Sequence, residues 1–168
     1  MIYQVIDKYD GVVIRLSKLE FEQGPSEYNL MITLSDREDG FVNQADRLLS
    51  AYHDYCSENL PFVTPVFERY FLSDITNQQP LLEKMTESLP GNAVSIVEQP
   101  PLNGSKIALW AWLQTEVVNR NLYNGIFETN TGSSIHLRTA SEYETKGGSR
   151  AQTKELMLSY SERLNELG

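Results

Sequence analysis

The sequence predicts an α+β fold, and three observations predict it. The first is the stretch Ala93 to Leu113, AVSIVEQPPLNGSKIALWAWL, which reads as two long apolar strands joined by a tight turn. Ile107, Leu109, Ala111 and Leu113 form one face of its second strand, and Ala108, Trp110 and Trp112 form the other. A strand apolar on both faces is covered on both sides and belongs in the middle of its sheet. The second observation is a helix from Phe41 to about Glu58. Its Phe41, Ala45, Leu48, Leu49, Tyr52 and Cys56 recur at three- and four-residue spacing and make one buried stripe. The third is the order of the elements from residue 12 onward: strand, strand, helix, strand, helix, strand, strand.

Taken in order, residues 2–9 and 12–19 read as a hairpin, because Asp10-Gly11 lies between the β-branched runs around Val5-Ile6 and Val12-Val13-Ile14. Residues 20–26 are polar, carry Gly24-Pro25 and form a loop. Tyr28 to Leu34 is the next strand, and Asp36 to Gly40 a charged turn. The first helix follows and is stopped by Pro61. Thr64 to Leu72 (TPVFERYFL) is a strand with aromatics on both faces, interrupted by Glu68 and Arg69. Asp74 to Ser88 reads as a loop leading into a second helix. Leu81, Leu82, Met85 and Leu89 make that helix's stripe, and Pro90-Gly91 ends it. In the central hairpin Pro100-Pro101 removes two backbone donors, and Asn103-Gly104 supplies the turn signal. Val117 to Asn124 gives no clear assignment, and Asn124-Gly125 is another turn signal. Ile126 to Thr129 and Ser134 to Thr139 read as short strands, and Glu142 to Ser149 as a polar loop. Arg150 to Leu167 is a third helix, with Leu156, Tyr160, Leu164 and Leu167 in its stripe.

The chain has 168 residues, enough for one domain or one domain and a fragment. A formal net charge of −9 argues against nucleic-acid binding, which depends on clustered Lys and Arg. The single cysteine, Cys56, excludes an internal disulfide and a cysteine-based metal site. The opening MIYQVIDKYDG lacks a basic region followed by an apolar run, so no secretion signal is expected and a cytoplasmic setting follows. No apolar stretch approaches the roughly 20 residues of a membrane span.

The third helix echoes the first. Gly40, Gln44, Leu48 and Tyr52 recur 108 residues later as Gly148, Gln152, Leu156 and Tyr160. Each set follows a strand-like run and a polar loop. Residues four apart share one helical face, so each copy offers the same packing surface. The reading expects residues 1–134 to form one domain with an N-terminal hairpin. Residues 135–168 would then be the strand and first helix of a truncated second repeat, in a longer two-domain protein. That last helix should need another surface to cover its stripe.

Three segments carry a resemblance to the YjgF/RidA family: Gln44-x3-Leu48-x3-Tyr52 on the first helix, VFERYFLSD from Val66, and VEQPPLNGSKIAL from Val97. The order of the elements agrees, and the likeness spans about residues 28–113. The tail from Gly147 resembles that family's first-helix region, and tandem proteins of this type include chorismatases. The resemblance implies a mixed sheet like that of chorismate mutase, with two helices packed on one face. It implies a homotrimer in which small metabolites bind in clefts between subunits. Imine deaminases of the family carry an arginine at the start of the strand before the Pro-Leu turn and a glutamate on the last strand. Those positions fall here near Ala93 or Val94 and at Ala108. Neither side chain clamps a carboxylate or shuttles a proton.

The open apolar face of Trp110 and Trp112 needs a cover, because two helices supply only one; a subunit interface or a better-covered monomer core would serve. Among polar residues, Glu68 and Arg69 sit between Val66, Phe67, Tyr70 and Phe71, and a buried charge is costly unless paired. Each is therefore a structural ion-pair member or a ligand contact. Ser95, Glu98 and Gln99 flank the central turn, and Trp110 stands on the open face, so these too are candidate ligand contacts. His53 reads as solvated, and His136 has no evident Ser or Asp partner. No spacing suggests a metal site or a phosphate loop, and no cofactor is implied.

The expectation is a YjgF/RidA-like domain that binds a small metabolite or serves assembly, without the usual deaminase residues. The alternative is an enzyme, either an imine deaminase with relocated groups or a chorismatase-like lyase or hydrolase. That alternative requires Arg69 to converge with Glu68 or Glu98.

Overall fold

The computed structural model describes residues 1–35, 37–87, 92–123, 126–139 and 148–167. The fold is α+β, with a mixed six-stranded sheet. Its strands are β1 (Ile2–Tyr9), β2 (Val12–Leu19), β3 (Glu27–Leu34), β4 (Thr64–Leu72), β5 (Ala93–Glu98) and β6 (Ile107–Gln114), in the order β1-β2-β3-β6-β4-β5. Helices α1 (Phe41–Asn59) and α2 (Ile75–Thr86) interrupt them in sequence. A second, antiparallel sheet holds β7 (Asn119–Tyr123), β8 (Ile126–Asn130) and β9 (Ile135–Thr139), and α3 (Ser149–Leu167) follows.

The alternation of side chains sorts the first sheet into two faces. Ile14, Leu16, Leu30, Ile32, Tyr70, Leu109 and Leu113 are buried against Leu48, Leu49 and Tyr52 of α1 and Leu82 of α2. Among the described residues, neither α1 nor α2 packs on the other face. Its central row runs Arg15, Met31, Trp110, Arg69, Ser95 across β2, β3, β6, β4 and β5. The β1–β2 hairpin forms as expected and turns at Gly11, whose φ of 67° is a conformation open to glycine.

Several sequence expectations are corrected. The apolar strands of Ala93–Leu113 do not form a hairpin with each other: β4 lies between them, parallel to β5 and antiparallel to β6. The helical crossover through α2 returns the chain beside β4 in the same direction. The proline-bearing connection then spans two strand spacings, about 10 Å, to deliver β6 to the sheet's centre. The doubly apolar β6 is thus central, as its pattern requires.

The segment from Asp74 is helix rather than loop. Asp74 Oδ1 accepts from the Asn77 backbone N at 3.2 Å and caps α2 at its first turn. The stripe shifts accordingly: Leu82 and Gln78 are buried, while Leu81 is exposed. Leu89 and Pro90-Gly91 lie outside the described residues, as do Asn124-Gly125. The unassigned stretch after Val117 contains β7. Residues 134 and 135, where a boundary was expected, fall in the β8–β9 hairpin, so β9 shares a sheet with β7 and β8. The third helix leaves Leu156, Met157, Leu158, Tyr160 and Leu164 exposed.

Candidate functional site

The open face of the first sheet ends in a cleft of about 500 Å³ beside the proline-bearing loop. Met31, Phe71 and Ala108 give it an apolar floor, and Pro100, Pro101 and Leu102 an apolar rim. Arg15, Thr33, Gln99 and Asn103 are its polar groups. Prolines at 100 and 101 leave the rim without backbone donors there, so specificity falls to the side chains.

The rim is held from both sides. Asn103 donates its amide to the Leu34 carbonyl and accepts from Ser105 N at 3.1 Å and Ser105 Oγ at 2.8 Å. Gln44, fully buried on α1, accepts from Lys106 N at 2.7 Å and donates to the Asp39 carbonyl at 3.0 Å. The glutamine of the Gln-Leu-Tyr pattern therefore clamps the loop that frames the cleft.

Arg15 is the cation of the cleft. Its Nη1 donates to Thr33 Oγ1 at 3.1 Å, and no salt bridge to it forms among the described residues. A guanidinium without an ion-pair partner beside an apolar floor can receive a carboxylate through its remaining donors. A second cleft, of about 440 Å³, lies between α2 and β5 and is lined by Gln79, Glu83 and Thr86 with no cation. The Arg15 cleft is the better ligand site, because it joins apolar surface to a single charge.

The six candidate residues separate. Arg69, Ser95 and Trp110 share the central row of the open face. Arg69 Nε donates to Ser95 Oγ at 3.3 Å, and its guanidinium lies 5.8 Å from the Trp110 ring centre and 5.4 Å from that of Phe67. Trp110 Nε1 donates to Asn29 Oδ1 at 3.1 Å. Gln99 reaches the cleft rim. Glu68 does not join them. It is buried on the helix face, where it accepts from Tyr52 Oη at 3.0 Å, Tyr70 Oη at 2.8 Å and Asn92 Nδ2 at 2.9 Å. It is satisfied by neutral donors rather than by the expected cation. Glu98 lies on the helix face too and accepts from Ile75 N at 3.4 Å.

Arg69 therefore faces away from both carboxylates, and the acid–base set the enzyme alternative required does not assemble. Two histidine readings also change. His53 is half-buried, with Nε2 lacking a hydrogen-bond partner among the described residues. His136 Nε2 lies 3.0 Å from Ser134 Oγ, but no described carboxylate hydrogen-bonds the ring to complete a triad.

Burial shifts the titration of the groups around Glu68. Desolvation, reinforced by the Glu68 charge, pushes the Tyr52 and Tyr70 hydroxyls up and the Cys56 thiol up to about 12. These are inert core groups. Among the described residues no cluster of His, Cys, Asp and Glu is placed to hold a metal ion, and no helix is long and apolar enough to cross a membrane.

The sequence reading missed Arg15, Met31, Thr33 and Phe71. The signal was present in VVIRLS: Arg15 occupies the phase opposite Ile14 and Leu16, on a face whose other positions are only partly polar. A scan against protein-family models matches none, and a search of the curated proteins finds no match.

Proposed function

We propose that this chain is a YjgF/RidA-like domain that binds a small metabolite in the Arg15 cleft, without deaminase chemistry. The observation that carries the reading is the cleft itself, whose lining joins the apolar Met31, Phe71 and Ala108 to one guanidinium, Arg15, that has no ion-pair partner among the described residues. The ligand it fits is a small molecule with an apolar body and one carboxylate. Support for the family comes from the Gln44, Leu48, Tyr52 pattern, whose glutamine frames the cleft. It comes also from the run of strands and helices from β2 to β6. In this reading the chain assembles as a homotrimer, and a neighbouring subunit laid on the open face closes the cleft.

Calorimetry with benzoate and 2-oxobutyrate tests the proposal. Binding is expected, and Arg15→Gln should weaken it about tenfold, the worth of one charge-assisted hydrogen bond. Ala108→Trp, which fills the floor, should abolish it. Absence of binding, or binding indifferent to both substitutions, overturns the site. Release of ammonia from 2-iminobutyrate overturns the non-deaminase reading.

A further inference from the structure

The second sheet covers the Trp112 end of the open face and leaves unsatisfied donors there. Arg138 of β9 stacks its guanidinium 4.6 Å from the Trp112 ring centre, and His136 meets that ring edge-on at 6.3 Å. Gln114, two residues along β6 and on the same face, is 1% exposed.

Four buried atoms at this junction have no hydrogen-bond partner among the described residues. They are Trp112 Nε1, Arg138 Nη2 and both amide atoms of Gln114. Arg138 Nη1 is already committed to Thr129 Oγ1 at 3.1 Å. Burial lowers the Arg138 pKa, and Glu27 opposes that shift. Glu27 pairs with Gln114 in the strand register, so its carboxylate borders the same site.

A buried donor without an acceptor is expensive, so each of these atoms calls for a partner, an ordered water or a bound group. Three of the four unpartnered atoms are donors, and one of those belongs to a guanidinium. We propose that the junction between the two sheets is a second binding site, for a small carboxylate. Its oxygens accept from Arg138 Nη2, Trp112 Nε1 and Gln114 Nε2 and tie β9 to β6. This site is separate from the Arg15 cleft and does not depend on the function proposed for it.

The test reads Trp112 directly. In a Trp110→Phe background, Trp112 is the one remaining indole, and its emission is followed on titration with acetate at constant ionic strength. Acetamide serves as the uncharged control. A saturable change with acetate and none with acetamide is expected. Arg138→Gln should weaken it about tenfold or more by removing the charge-assisted donor. Glu27→Gln should tighten it, by removing a neighbouring negative charge, and the surface control Lys84→Gln should leave it unchanged. Should circular dichroism show Arg138→Gln unfolded, Trp112→Phe read by calorimetry takes its place, with the same weakening expected. No saturable response, an equal response to acetamide, or indifference to the substitution that folds overturns the proposal, and internal water alone then satisfies these atoms.

Discussion

Glu68 is a carboxylate that the fold buries without a cation. Two tyrosine hydroxyls and the Asn92 amide supply its hydrogen bonds, and Asn92 Oδ1 in turn accepts from Arg120 Nη1 at 2.7 Å. Glu68→Ala would leave those donors facing an apolar core, so it should destabilise the chain by about 3 kcal/mol or more, read by denaturant unfolding. Tyr52→Phe, which removes one donor and leaves the carboxylate two, should cost about 1 kcal/mol. The same environment makes a pH prediction. Folding raises the pKa of Cys56 from 9.0 to about 12 and raises those of Tyr52 and Tyr70, so the protonated forms are favoured in the folded chain. Their contribution is complete below pH 9 and is lost as pH rises above it. The urea midpoint should be lower at pH 10.5 than at pH 8, and Cys56 should resist iodoacetamide at pH 8 in the folded protein. The pairing of Glu68 with tyrosines was not legible in the sequence, because Tyr52 and Glu68 meet only when α1 docks on β4.

At the scale of elements, α1 and α3 are a natural experiment. Both are 19 residues long and begin 108 positions apart, at Phe41 and Ser149. Leu48 is fully buried, while its counterpart Leu156 is 38% exposed. Leu48→Ala should therefore cost about 3 kcal/mol, and Leu156→Ala less than about 0.5 kcal/mol, in the same unfolding assay. Equal costs would show that α3 is packed in solution. The helices were legible because their apolar period is local. The start of α2 was missed because its cap rests on Asp74, which a polar run conceals. The hairpin of β5 and β6 was misread because two adjacent apolar strands look like partners, whatever strand the fold later sets between them.

Among the described residues the first sheet presents an open face, with one end under the second sheet and the rest uncovered. Tyr3 and Val5 on the edge strand β1 lie on that face, opposite Ser17 and Arg15, and both are exposed. Exposed apolar side chains on a sheet edge favour association. In the assembly proposed above, light scattering should give three times the mass of one chain. Tyr3→Asp combined with Val5→Asp should reduce it to one, since charges in an apolar contact lose hydration without gaining partners. A parent chain that is already monomeric would remove the trimer from the proposal.

The sequence by itself determined the elements with a clear period: the first hairpin, β3, α1, β4, the two-faced β6 and α3, together with the echo between the helices. Those features depend on hydrophobic spacing within a single segment. Tertiary structure alone decided that β4 separates β5 from β6, that Arg69 and Glu68 part to opposite faces, and that Arg15 shares a cleft with residues far along the chain. The reason is that pairing order and side-chain convergence are properties of segments brought together, and neighbouring residues on a strand must point in opposite directions however close their charges stand in the sequence.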